Sequence, residues 1–310
     1  MGLRREYKPS AWIKIGLLVL LLIVVVWVTS CGLGSNTKEQ KQDWEPTKEI
    51  ATMERLFEVA LAPIGKTMYV WGGGWDPEDA KAGPTATQIG MPKVWADFAA
   101  EQTPEYDFED YLEKSEETDE KWNDYHPQEL GLDCSGYVGW VMYNLFQEKD
   151  GKEGYVSQST GMAERLARKG WGKLIRNPRE FLPGDIVSMT GHVWICLGAC
   201  EDGSVLLVHS SPPGVSVCGT YSTQNHQEGE AEPNNNISIA ARLAAEYMSA
   251  HHLEWQEKYP NRIVPLTYLE HVTVLRWNSD ALKNAKIYQE KTGEEMMELL
   301  IAAIKKTSRN

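Results

Sequence analysis

Leu132-Asp133-Cys134-Ser135-Gly136-Tyr137-Val138-Gly139-Trp140-Val141-Met142-Tyr143-Asn144-Leu145-Phe146 is the stretch on which the fold turns. Cys134, Tyr137, Val138, Val141, Met142, Leu145 and Phe146 recur at three- and four-residue spacing, the period of an α-helix that buries one face. Asp133 stands at the N-cap, where a carboxylate accepts from N–H groups that the helix leaves unpaired. The spacing therefore predicts a helix that begins at Cys134 and carries a thiol at its N-terminus. A thiol attacks only as thiolate, and at an ordinary pKa of about 8.5 it is mostly protonated at neutral pH. The positive end of a helix favours the anion, and an imidazole alongside favours it further as a thiolate–imidazolium pair. The expectation is a sulfur ionised by its helix start, with a histidine brought to it from a distant segment.

Downstream, Leu182-Pro183-Gly184-Asp185 reads as a turn into a strand over Ile186 to Met189, with Asp185 a turn residue and not a catalytic acid. Strands over His192 to Leu197 and Ser204 to Val208 follow, joined by a turn containing Asp202-Gly203. A hairpin folded symmetrically between Cys200 and Glu201 sets His192 directly opposite His209, with Cβ atoms about 4.5 to 5.5 Å apart. One ring then orients the other, as the third group of a Cys-His-X triad does; a single bulge breaks this register. A lone Cys or a lone strand His is more often structural, so the weight rests on the joint pattern. Zinc suits the same three residue types, but the blocks that flank them argue for a thiol enzyme with no metal or cofactor.

Working outward, Met53, Leu56, Phe57, Ala60 and Leu61 predict a helix ended by Pro63 and Gly65. Met68 to Trp71 is a short apolar stretch closed by three glycines. Residues 76–130 hold sixteen Asp and Glu against four Lys. Their scattered aromatics predict an acidic insertion folded onto the domain as short helices and loops. Helices are expected over Met162 to Lys169 and Ile239 to Glu257, and a closing strand over His271 to Trp277. The tail beyond Asp280 is expected to be helical and docked, with Met296, Leu299, Leu300, Ala303 and Ile304 on one face. Cys196, Cys200 and Cys218 read as buried small hydrophobes before a bridge. His126, His226, His251, His252 and His271 read as surface or structural. The net charge of −13 argues against a nucleic-acid partner, which needs a basic face.

At the N-terminus, Arg4, Arg5, Lys8 and Lys14 precede an apolar run from Ile15 to Val28, short for a span of about 20 residues. Val28-Thr29-Ser30-Cys31-Gly32 resembles a bacterial lipobox, with Cys31 the lipidated residue; the alternative is an uncleaved anchor helix from about Trp12 to Thr29. Either places the domain outside the cytoplasm, held at the bacterial membrane through residues 1–31 and a polar tether over 32–47.

Five short blocks then occur in order: Tyr69-Val70-Trp71-Gly72-Gly73, Leu132-Asp133-Cys134-Ser135-Gly136-Tyr137, Pro183-Gly184-Asp185-Ile186-Val187, Gly191-His192-Val193-Trp194-Ile195 and His209-Ser210-Ser211-Pro212. Together they resemble the NlpC-type cell-wall cysteine peptidases over about residues 50–277. The resemblance implies a papain-like α+β domain over residues 48–280, with the Cys134 helix on an antiparallel sheet and residues 281–310 as a tail. It implies hydrolysis of peptidoglycan stem peptides, commonly between D-glutamate and a diamino acid, with Cys134 attacking, His192 moving the proton and His209 orienting His192. Tyr69, Asp133 and Ser135 match positions that line the family's substrate site. Trp194 replaces a usually small residue and is expected to narrow or gate the groove. A catalytically restrained binding or regulatory module, or a thiol acyltransferase or amidase of the envelope, are the alternative functions.

Overall fold

The computed structural model describes residues 51–110, 127–146, 153–224 and 237–307. The expectations for residues 1–31 and 32–47, for Cys31, His126 and His226, for residues 111–126 of the insertion and for 225–236 lie outside them.

Strands β1 (Trp75–Asp76) and β2 (Lys81–Ala82) form a small hairpin. The main sheet comprises β3 (Gly172–Arg176), β4 (Ile186–Met189), β5 (His192–Ala199), β6 (Val205–Ser211), β7 (Gly214–Thr220), β8 (Ile263–Val264) and β9 (Thr273–Trp277) in the order β3-β9-β4-β5-β6-β7-β8. All its pairings are antiparallel except β7 with β8. The chain is thus a mixed α+β protein built on a large, mostly antiparallel sheet. The stretch ending at Trp277 forms a strand but does not close the sheet: β9 inserts between β3 and β4.

Both faces of the sheet are covered, so its central strands read as apolar runs with little alternation. Val193, Ile195 and Leu197 of β5 join the larger core, together with the helices Met53–Leu61, Cys134–Phe146 and Ile239–His251. Trp194 and Cys196 point the other way, into a second core with Phe181, Leu207, Val272 and Val274. Trp194 is fully buried and stacks on Phe181 with ring centroids 5.8 Å apart. It fills a core and gates no groove, which corrects the expectation for this residue.

The Cys134 helix comes close enough to the 72–74 loop that only glycine fits. A Cβ on Gly136 would lie 1.9 Å from the Gly73 carbonyl oxygen, and one on Gly139 would lie 2.8 Å from the Val156 backbone nitrogen. The insertion packs through its aromatics where described. Trp95, on the helix Lys93–Glu101, is fully buried against Trp140 with centroids 5.6 Å apart, and its indole N–H donates to the Glu129 carbonyl at 2.9 Å.

Two expectations need correction in detail. The helix expected over Ile239 to Glu257 is two helices, Ile239–His251 and Leu253–Lys258, broken at His252. The tail helix Gly293–Thr307 docks on β5 where Gly198, at φ +138, follows a bulge, and a Cβ there would meet the Gly293 Cα at 2.9 Å. It buries Met296, Met297 and Leu300, while Leu299 is 41 % exposed. Asp185 lies in the expected turn, its N–H donating to the Leu182 carbonyl at 3.0 Å, and is in addition fully buried and paired with Arg276 by two hydrogen bonds, at 3.1 and 2.8 Å. Cys134, Cys196, Cys200 and Cys218 are all buried and free.

Candidate active site

The Asp133 carboxylate caps the Cys134 helix as its position dictates. Its Oδ1 accepts from the Gly136 N–H at 2.6 Å and from the Ser135 hydroxyl at 2.8 Å, and the Ser135 oxygen accepts from the Trp75 indole N–H at 3.0 Å. The cap fixes the first turn and with it the Cys134 thiol, which lies 3.9 Å from the carbonyl oxygen of Gly191 and within reach of the Val193 N–H. The sulfur therefore sits against the backbone on either side of His192.

His192 and His209 share a hydrogen bond, Nε2 to Nδ1, of 3.0 Å. Their strands do not set them opposite each other. Ile195 faces Val208 and Cys196 faces Leu207, and a bulge between Cys196 and Gly198 shifts the register. Relative to a symmetric hairpin the slip is two residues, which preserves the face, so the two rings meet on a diagonal within reach of long or aromatic side chains.

A third ring completes the cluster. Tyr268, on the turn Leu266–Leu269, lies 5.2 Å from His192 and 5.8 Å from His209 by ring centroids. Nothing in the sequence marks it, because it arrives from a connection some sixty residues beyond His209. Tyr69 is buried, its ring is 5.1 Å from Phe108 of the insertion, and its carbonyl accepts from the Tyr106 hydroxyl at 2.7 Å. Burial pushes its phenol up, and the neighbouring Cys134 and Asp133 add to this. Cys134, Asp133, Ser135, His192, His209 and Tyr69 thus fall in one region.

The ionisation expected of the thiol is not what the surroundings favour. Burial pushes the Cys134 thiol up to about 12, and the Asp133 charge adds to it, against N–H groups of Val193, Ser135 and Cys134 that favour the anion. A helix start contributes about 2 kcal/mol at most, whereas holding a thiol near 12 instead of 9.0 corresponds to roughly 4 kcal/mol, so burial wins. Burial also lowers His192 to about 4 and His209 well below its ordinary range, the latter with help from His192 and Arg262. Burial thus favours the neutral form of the Cys134 thiol and of the His192 imidazole alike.

Asp133 itself is raised to about 6, chiefly by burial. Asp133→Asn keeps a capping oxygen and removes the charge that disfavours the thiolate. Alkylation of Cys134 by iodoacetamide at pH 8 is therefore expected to quicken, about three- to fourfold for each unit by which the thiol pKa falls, because the larger thiolate fraction is partly offset by a weaker nucleophile; an unchanged or slower rate would show that this charge does not act on the sulfur.

Comparison of the chain with protein-family models, with curated proteins and with solved structures finds no match.

Proposed function

We propose that this protein is a cysteine peptidase of the bacterial cell envelope, papain-like in arrangement, which hydrolyses peptide bonds in the stem peptides of peptidoglycan. The observation that carries the reading is the thiol at a capped helix start, set against the backbone flanking His192, whose ring is bonded to His209 at 3.0 Å. The substrate class, and the D-glutamyl-diamino acid bond in particular, rest on the resemblance of the five sequence blocks.

With Nε2 of His192 engaged by His209, Nδ1 is the nitrogen left to serve the sulfur. For Nδ1 to accept a proton, Nε2 must carry one and donate it to Nδ1 of His209, which fixes both tautomers. Cys134 Sγ attacks the substrate carbonyl carbon as its proton passes to His192. The oxyanion is held by N–H groups at the helix start, where the first turn has no intrahelical acceptors. Collapse breaks the C–N bond, His192 returns the proton to the leaving amine, and a thioester remains. Water then attacks with His192 again accepting, the acid is released, and the thiol regains its proton. Transfer in concert with attack avoids a free thiolate, which the burial of the site disfavours. Tyr69, Asp133 and Ser135 serve substrate binding in this reading, and the N-terminal segment holds the domain at the outer face of the membrane; retention in the membrane fraction that is lost with Cys31→Ala tests lipidation.

His192 at about 4 stays an available base well into acid. The acid limb of kcat/KM, which reports the free enzyme, is expected near pH 4, since only below that value does protonation remove the acceptor. A limb at the ordinary imidazole value near 6.5 would contradict the burial of this ring.

Muropeptide digestion followed by mass spectrometry tests the function. A new free amine is expected with the wild type and none with Cys134→Ser. The burial of Cys134, only 7 % exposed, favours a second reading as a restrained binding module, and cleavage by neither protein would select it. Transfer to an added amine would select an acyltransferase.

A further inference from the structure

A cavity of about 400 Å³ has His209, Ser216, Cys218, Lys258, Asn261 and Arg262 in its wall. That volume suits a small ligand. Its charge is one-sided. Two cations and no Asp or Glu line it among the described residues, in a chain of net charge −13.

Arg262 is the unusual member. It is 4 % exposed, yet among the described residues no carboxylate pairs with it. Its guanidinium donates only to neutral groups: the Gln256 side-chain oxygen at 2.7 Å, the Tyr259 carbonyl, and the Cys218 sulfur. Lys258 likewise donates to a neutral acceptor, the Gln102 carbonyl, at 2.6 Å. Buried charges are ordinarily paired, because taking a lone charge out of water is costly. Arg276, whose side chain is 16 % exposed, follows that rule with Asp185. Arg262 does not, and the cavity it lines is where a counter-charge fits.

We propose that this cavity is an oxyanion-binding site, which takes a carboxylate or a phosphoryl group against Arg262 and Lys258, with Ser216 and Asn261 as neutral donors. A guanidinium fork suits either anion. The site is separate from the sulfur but shares His209 with the triad, so an occupant would sit beside the ring that orients His192 and offset the positive charge that Arg262 places near it.

The experiment is isothermal titration of the full chain in detergent with sodium phosphate and, separately, with sodium glutarate, at low ionic strength. It reads binding without peptidase activity, so its outcome is independent of the catalytic reading. One anion per chain is expected with a Kd of about 1 mM or tighter for at least one probe. Lys258→Gln is expected to weaken it about tenfold, the effect of one lost charge contact, and Arg262→Gln to abolish it. Lys258 is only partly buried, so its variant keeps the test decisive should Arg262→Gln fail to fold. Preference for glutarate identifies a peptide-type carboxylate as the occupant, and preference for phosphate a phosphoryl or inorganic one. Absence of binding by both anions, or binding unchanged in Lys258→Gln, would overturn the proposal.

Discussion

Replacing His192 by Ala is expected to lower kcat on stem-peptide substrates by about 10²- to 10⁴-fold, the range for loss of a positioned proton carrier, with KM changed little. The burial of the site makes this loss larger than it would be for a thiol already ionised. Burial disfavours the Cys134 thiolate, so in the proposed reaction the imidazole is the base that must take the proton as the sulfur attacks. His209→Ala removes the partner of Nε2 and leaves the base in place, so its loss is expected to be smaller and to come from misoriented or wrongly protonated His192. Steady-state kinetics on a purified muropeptide measures both. Equal losses in the two variants would mean that His209 touches the chemistry directly.

Arg276→Met is expected to destabilise the fold by about 3 to 5 kcal/mol, read from urea unfolding. The Arg276 guanidinium holds both oxygens of Asp185, which is fully buried, and also donates to the Glu180 carbonyl at 2.9 Å. Burial already pushes the Asp185 carboxyl above its ordinary range with Arg276 alongside, and without the arginine the carboxylate would be left unpaired. Asp185 cannot simply be deleted, because it also accepts from the Leu182 N–H at 3.0 Å and so shapes the turn into β4. Adding Asp185→Asn to Arg276→Met keeps that acceptor and removes the charge, and is expected to recover part of the loss. No recovery would place the cost in lost packing of the arginine stem.

The difference between Arg276 and Asp185 as read in sequence and as folded illustrates what local pattern can carry. Pro183-Gly184-Asp185 announces a turn, and the turn is there; the partner sits ninety-one residues away on β9 and has no local signature. The Cys134 helix, its Asp133 cap and strands β4 to β6 were legible because each writes its own period or cap. β3 and β7 were not, since Gly172-Lys173-Leu174-Ile175-Arg176 and Gly214-Val215-Ser216-Val217-Cys218 are short and gain their identity from neighbours. The meeting of His192 with His209 was legible, but its register was not: the bulge lies between Cys196 and Gly198, beside the close approach of Gly198 to Gly293 of the tail helix, and neither has a local signature. Tyr268 and Arg262 come near His209 through tertiary placement alone. The burial around Cys134, which disfavours its thiolate, has no local signature either, whereas a helix start does.

The proposed function rests on one unit, the Cys134 sulfur with His192 as the ring that takes its proton. Digestion rates of the wild type, Cys134→Ser, His192→Ala and the double variant on one muropeptide test it most directly. Because residues that act as a unit are not additive, the double variant is expected to be no slower than the slower of the two single variants. Losses that multiply, or a Cys134→Ser protein that digests at the wild-type rate, would contradict a shared proton transfer between Cys134 and His192.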